Sequence, residues 1–235
     1  IMKAAEKHNA SFTFPSVALV VYRNSRLFKN VVQRGHELAS HGLIHTRFDR
    51  LAPSDQERQL RDSAQILSEI VEGVVLGVRT PYELHTDESF TAMARTGYLY
   101  DSSIYHPTPT TPYKIGGDPD LIEIPWTLSD PGLIDREQLS PSSLYRFWRG
   151  TFDLCAEGEV VTLNAHPVRI GTQKYLAVLE CLLTMAFDRG FWLANLSEVA
   201  EKFKERKINT PVFALSGDID CVAMSDYLLR ILKKA

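Results

Sequence analysis

Short apolar runs rich in β-formers alternate with stretches of helical periodicity along this whole chain, and no hairpin signal joins one run to the next. Alternation of that kind implies a parallel sheet, either open or closed into a barrel, because parallel strands need a crossover, usually a helix, between them. Seven runs read as strands: residues 11–14, 37–40, 74–78, 121–124, 160–164, 191–194 and 211–216. Between them, residues 24–33 read as a helix closed by Gly35. The clearest helix follows Ser54-x-x-Glu57, which has the form of a capping box. Leu60, Ala64, Leu67 and Val71 then fall on one face, and Gly73 ends the run. Residues 89–96, 143–155 and 173–189 also read as helices, the last with Leu176, Leu179, Leu183 and Phe187 on one stripe. Ser197 is positioned to cap a helix reaching about residue 206, and residues 225–235 form the last helix.

The chain has 235 residues, 44% hydrophobic and 23% charged, which supplies one large core and no low-complexity linker. A single domain over 1–235 is therefore expected. The net charge of −3 carries no nucleic-acid footprint. Cys155, Cys181 and Cys221 are odd in number and form no Cys-x-x-Cys pair, which argues against a disulfide framework and for a reducing, cytoplasmic setting. No stretch approaches the roughly 18 apolar residues of a membrane span. The loop over residues 98–120 is long, and loops of that length in compact domains are often functional.

The two ends carry information of their own. Residues 1–10 are helical in composition, and positions 228, 229, 231, 232 and 235 near the other end are apolar. If Ala235 ran directly into Ile1, the stripe 228, 232, 235 would continue through Ala4 without a phase break. The ends read as two halves of one amphipathic helix.

Four clusters carry chemistry. His41 and His45 are four apart, a spacing that places two imidazoles on one side of a helical turn, as a metal pair requires. Asp218 and Asp220 follow the run 211–216, at a strand's carboxyl end, where α/β folds place their sites. Of two acids there, one can ligate a metal and the other accept a proton. Arg79-Thr-Pro81-Tyr82 follows another strand and offers a fixed cation to a carboxylate. His166, in Asn164-Ala-His166-Pro167, is an acid–base candidate after a third. Taken singly, each has an ordinary structural explanation: a surface or core histidine, a helix-capping aspartate, an arginine before a proline turn. Together they lie at or just beyond the predicted carboxyl ends of different strands.

These segments resemble a known family. Gly35-His-Glu-Leu-Ala-Ser-His-Gly-Leu-Ile-His45, Arg79-Thr-Pro-Tyr82, Gly97-Tyr-Leu-Tyr-Asp-Ser-Ser103, Leu121-Ile-Glu-Ile-Pro125 and Asn164-Ala-His-Pro167 look like successive motifs of the polysaccharide deacetylases, the NodB-homology group of carbohydrate esterases. The family's opening motif, an Asp pair after a strand, is absent upstream of residue 36. Phe213-Ala-Leu-Ser-Gly-Asp-Ile-Asp220 resembles it instead, so the order looks circularly permuted, with the break inside the first helix.

The resemblance implies a distorted (β/α) barrel of about seven parallel strands. It implies one divalent metal ion, zinc foremost, with cobalt, manganese, nickel or iron as substitutes, held by His41, His45 and Asp220. It also implies Asp218 as catalytic base, Arg79 as its partner and His166 as general acid, with Pro81, Tyr82 and Trp126 against the substrate. Gly217 stands where the family has an aromatic residue, and Trp126 and Asp130 stand in for a later Asp/Trp motif. The expected activity is removal of N-acetyl groups from an amino sugar or a precursor of surface polysaccharide. A cyclic-imide or small-amide hydrolase on the same fold and an inactive carbohydrate-binding domain are the alternatives. A non-heme iron oxygenase shares the ligand set but not the β–α alternation.

Overall fold

The computed structural model describes residues 1–115 and 121–226. They fall into two compact units, each assembled from several stretches of chain: residues 1–13, 104–112 and 124–218 in the first, and 14–103, 113–123 and 219 onward in the second. Elements are labelled in chain order.

The first unit is built on β10 (Val212–Gly217), which runs parallel to β8 (Val160–Ala165) over six registered pairs, from Val212↔Val160 to Gly217↔Ala165. Strand β9 (Trp192–Ala194) also pairs with β10. Strand β7 (Leu128–Ser129) pairs with β8, Ser129 opposite Asn164. Every residue of β8 and β10 is buried, the mark of parallel strands covered on both faces. The covering helices are α1 (Met2–Glu6), α6 (Pro141–Phe152), α7 (Pro167–Ile170), α8 (Leu176–Asp188) and α9 (Leu196–Lys204). Phe152 of α6 meets Phe213 of β10 edge to face, with centroids 4.8 Å apart. Helix α8 buries Val178, Leu179, Leu182, Leu183 and Ala186, so the buried stripe is shifted and Phe187 lies outside it, 55% exposed.

The second unit holds shorter strands: β2 (Glu37–Ser40), β3 (Gly77–Val78), β4 (Tyr100–Asp101), β5 (Tyr113–Lys114) and β6 (Ile122–Glu123), with most of β1 (Thr13–Ser16). Their order is β5-β6-β4-β3-β2-β1, and the β2–β3, β3–β4 and β4–β6 pairs are parallel. Among the described strands of this unit β5 runs antiparallel to β6, Tyr113 opposite Glu123, which corrects the expectation of a chain without hairpins. Helices α2 (Ala18–Arg23), α3 (Ser25–Gln33), α4 (Pro53–Val71) and α5 (Asp87–Thr96) complete it. Helix α4 buries Leu60, Ser63, Leu67 and Ile70, one face at helical spacing.

Several local expectations shift. Among the described residues ten strands replace the seven expected, because several hold only two residues, too few to leave a hydropathy signal. The Ser54–Glu57 box does not form: Ala52 is the N-cap, and Pro53 opens α4 with the φ it favours and the N–H it lacks. Asn195, not Ser197, caps α9, in a box with Glu198. The run 18–23, apolar enough to pass for strand, is helix α2. The last helix and its phase match with residues 1–10 lie outside the described residues from 227 on. Among the described residues no helix is long and apolar enough to cross a membrane.

Candidate metal centre and acid–base residues

The second unit gathers the two histidines and one aspartate. Ser40 pairs with Val78, so His41 and Arg79 leave the carboxyl ends of β2 and β3 at one level. The His41 ring then donates through Nδ1 to the Arg79 carbonyl oxygen at 2.7 Å. A proton held on Nδ1 leaves the Nε2 lone pair for a ligand. Gly42 takes φ of +76°, a left-handed value that turns the chain directly after His41 and that a side chain there would strain. The turn is pinned by Gln59, whose Oε1 accepts from the N–H groups of Leu43 and Ile44 at 3.1 and 3.2 Å. His45 thereby returns beside His41, ring centroids 5.1 Å apart. Residues 41–47 are not helical, so the imidazole pair arises from a glycine-turned loop rather than from the helical turn that the four-residue spacing suggests.

Asp220 joins them from the far end of the sequence. The Ile219 N–H donates to the Pro15 carbonyl at 2.8 Å, and the Ile219 carbonyl accepts from Val17, which stitches this segment beside β1. Asp220 Oδ1 lies 3.5 Å from His41 Nε2 and 3.3 Å from His45 Nε2. One ligand atom from each of the three residues lies within 4.8 Å of the others. Burial opposes charge on Asp220, but its hydrogen bonds to His41 and His45 and their charges hold the carboxyl far below the usual carboxylate range. The donor set fits a divalent first-row ion: two imidazole nitrogens and a carboxylate oxygen leave open positions, as in catalytic zinc sites.

Tyr82 closes one side, its ring 4.3 Å from that of His45 at an interplanar angle of 70°. It sits there at a backbone cost. Tyr82 and Glu83 both take left-handed φ values, 63° and 55°, in the turn opened by the buried Pro81. A non-glycine residue in that region costs about 1–2 kcal/mol. Arg79 is fully buried, and its guanidinium donates to Ser102 O at 2.7 Å and Ser102 Oγ at 2.8 Å. A cavity of about 600 Å³ opens beside His45, Tyr82 and Asp220.

The first unit holds the acid–base candidates. Gly217 pairs with Ala165, so Asp218 and His166 leave β10 and β8 as neighbours, and the Asp218 N–H donates to the Ala165 carbonyl at 2.9 Å. Asp218 is 3% exposed. His166 Nδ1 lies 2.7 Å from Asp130 Oδ1, and the His166 backbone N–H donates to Asp130 Oδ2 at 3.0 Å. Asp130 is fully buried directly after β7, so both its oxygens are directed at one histidine. Sequence reasoning offered Asp130 only as a stand-in; the Ser129–Asn164 pairing brings it level with Ala165, within hydrogen-bonding reach of His166. Trp126 packs on Tyr105, centroids 4.6 Å apart.

Fold and site together define an α/β protein with aspartate and histidine side chains at strand ends and a cluster of two histidines and one aspartate. Residues 1–100 match the family model described as polysaccharide deacetylase, a range that holds the segments 35–45, 79–82 and the start of 97–103. A curated relative, the peptidoglycan deacetylase of Helicobacter pylori, is 21% identical over 244 residues, 88% of this chain and 83% of its own length. A solved structure under the name polysaccharide deacetylase, from Mycobacterium smegmatis, matches with a TM-score of 0.76 at 21% identity, covering 89% of this chain and 77% of that one. An allantoinase structure matches equally well, with a TM-score of 0.76 at 21% identity over 88% of this chain and 72% of its own. These likenesses establish the fold as that of the NodB-type deacetylases.

Proposed function

We propose that the chain is a metal-dependent hydrolase that removes N-acetyl groups from an amino sugar or a polysaccharide precursor. The observation that carries this reading is the convergence of His41, His45 and Asp220, from opposite ends of the sequence, to within 4.8 Å. A divalent ion held by these three, zinc foremost, would lower the pKa of a bound water towards about 7 and polarise the amide carbonyl.

The other roles fall to the chain's own groups. Asp218 accepts the proton of the attacking water. His166, with Nδ1 held by Asp130, carries a proton on Nε2 and gives it to the departing amine as the C–N bond breaks. Asp130 fixes the tautomer and stabilises the charged ring, as the third member of a catalytic triad does. Arg79 supplies a buried, permanent cation to the carboxylates of the strand ends, and Pro81, Tyr82 and Trp126 shape the substrate's seat. We read the motif order as a rotation of that of the polysaccharide deacetylases.

The likeness to an allantoinase favours one second reading, hydrolysis of a cyclic or small amide by the same residues. The test is metal content by mass spectrometry beside acetate release from N-acetyl sugars, in the wild type and in His41→Ala, His45→Ala and Asp220→Ala. Loss of both together is expected. Full metal occupancy in all three variants would overturn the site, and turnover of cyclic imides with none of N-acetyl sugars would favour the second reading.

A further inference from the structure

The cavity beside the His45–Asp220 pair is larger than an acetamide group needs, and its wall is unusual in charge. Arg23 from α2, and Arg47 and Arg50 from the segment after His45, all line it, with apolar surface from Val17, Ile44 and Leu84 between them. The acids nearby are already engaged. Asp220 faces the two imidazoles. Asp226 lies 3.6 Å from Arg23 Nη1, yet its Oδ2 accepts from the backbone N–H groups of Val222 and Ala223 at 3.2 and 3.0 Å and so caps that turn. Asp49 takes the Nε and Nη2 of Arg47 at 3.0 and 2.6 Å, which orients the guanidinium and leaves its Nη1 donors. Arg50 is exposed, and its charge also acts on Asp49.

Three guanidinium groups from two separate segments, converging on one partly apolar hollow next to the reacting centre, are more than a neutral sugar requires. A neutral glycan is held by hydroxyl-directed hydrogen bonds and flat apolar faces. Planar guanidinium forks match the oxygens of phosphate and carboxylate.

We propose that this cavity binds an anionic group, phosphate or carboxylate, on the substrate whose amide is cleaved, so that the chain acts on charged N-acyl sugars in preference to neutral ones. The inference rests on the hydrolase reading for its reaction, but not for its binding. Arg47 and Arg50 form the ligand-facing fork, and Arg23 supports it with charge from α2. Attraction of this kind weakens as ionic strength rises, since two of the three arginines lie within reach of solvent.

The test is calorimetric binding of N-acetylglucosamine, N-acetylglucosamine 1-phosphate and N-acetylmuramic acid to the zinc-loaded full chain, followed by the same titrations with Arg50→Gln and with Arg47→Gln/Arg50→Gln. At least one of the two charged sugars should bind about tenfold more tightly than the neutral one, the gain of one good charge-assisted contact. Which of the two does so identifies the anion. The preference should shrink in Arg50→Gln, whose exposed side chain leaves the fold intact, and vanish in the double variant. Equal affinity for all three sugars in the wild type overturns the proposal. So does a preference that survives in the double variant, since the anion would then be held elsewhere, at the zinc. Charged-sugar binding without acetate release would count against the hydrolase reading alone.

Discussion

The two units solve the same problem, holding polar groups at strand ends, by different means. In the first, β8 and β10 pair over six residues with every side chain buried, and Asp218 and His166 are the next residues along. Their placement follows from the register of long, dry strands. In the second, β3 and β4 have two residues each, and the histidines stand on a loop shaped by Gly42 and pinned by Gln59. There the precision comes from turn conformation and side-chain hydrogen bonds. The difference suggests a division of labour. Proton transfer needs groups fixed to fractions of an ångström, which strand register supplies. A metal ion gathers its own ligands and adds its binding energy to the folding of the loop that bears them.

The largest expected effect separates the units by function. Asp218→Asn should keep the metal content of the wild type and lose about 10²–10⁴-fold in kcat, the range for a general base. His45→Ala should lose the metal itself. Mass-spectrometric metal content and acetate release on the same samples read both, and an Asp218→Asn protein with wild-type turnover would remove the base from the first unit.

Next in size is the Asp130–His166 pair. Asp130→Asn preserves shape but disturbs the tautomer that sends the proton to Nε2. A loss of about 10²-fold in kcat, the low end of the range for acid–base catalysis, is expected because His166 itself remains to transfer the proton. Metal content should not move, and the pH profile of kcat should shift on the limb that reports the protonated histidine. A merely structural Asp130 would lower stability and leave that limb in place.

Stability contrasts the units through opposite faults. Phe213→Ala removes a ring stacked edge to face on Phe152 in the first unit, a change worth about 3–5 kcal/mol. In the second, Gly77→Ala adds an atom, and a Cβ there would overlap the Tyr100 ring. That ring is anchored by its hydroxyl, which donates to Glu37 at 2.8 Å, so it cannot simply swing aside. Overpacking of this kind costs about 1–3 kcal/mol. Urea denaturation of both variants checks the order. A Gly77→Ala chain as stable as the wild type would show that the short strands tolerate more movement than their packing implies.

The sequence exposed residue types and strand ends more readily than local geometry. His41, His45, Asp218 and Asp220 stood out because imidazole pairs and aspartate pairs beside apolar runs are chemically conspicuous. Their convergence was legible only through the family's motif order, since no spacing links residue 45 to residue 220. Asp130 was harder to place: a lone acid after a two-residue strand has no periodicity to announce it. The cavity arginines left no trace, because Arg23, Arg47 and Arg50 are brought together by the fold and resemble ordinary surface charges in one dimension. Helix starts were misread at α4, which opens on Pro53 ahead of the Ser54 hydroxyl, and at α9, whose cap is Asn195 two residues before Ser197.

That misreading yields the smallest prediction, again one residue per unit. Asn195 accepts from the Glu198 N–H at 2.9 Å and its amide donates to Ser11 Oγ at 2.9 Å, so it both caps α9 and ties it to the segment before β1. Asn195→Ala should cost about 1 kcal/mol, the usual loss for a cap. For a chain of this size that lowers the melting temperature by about 2–4 °C. Ser54 has the better capping-box sequence, but it is exposed and the N-cap of α4 is Ala52. Its hydroxyl closes no orphan N–H, because Pro53 has already taken the first helical position. Ser54→Ala should therefore leave the melting temperature where it is. If the two substitutions destabilise equally, the boundary of α4 in solution lies at Ser54, and the sequence's first reading of that helix was the better one.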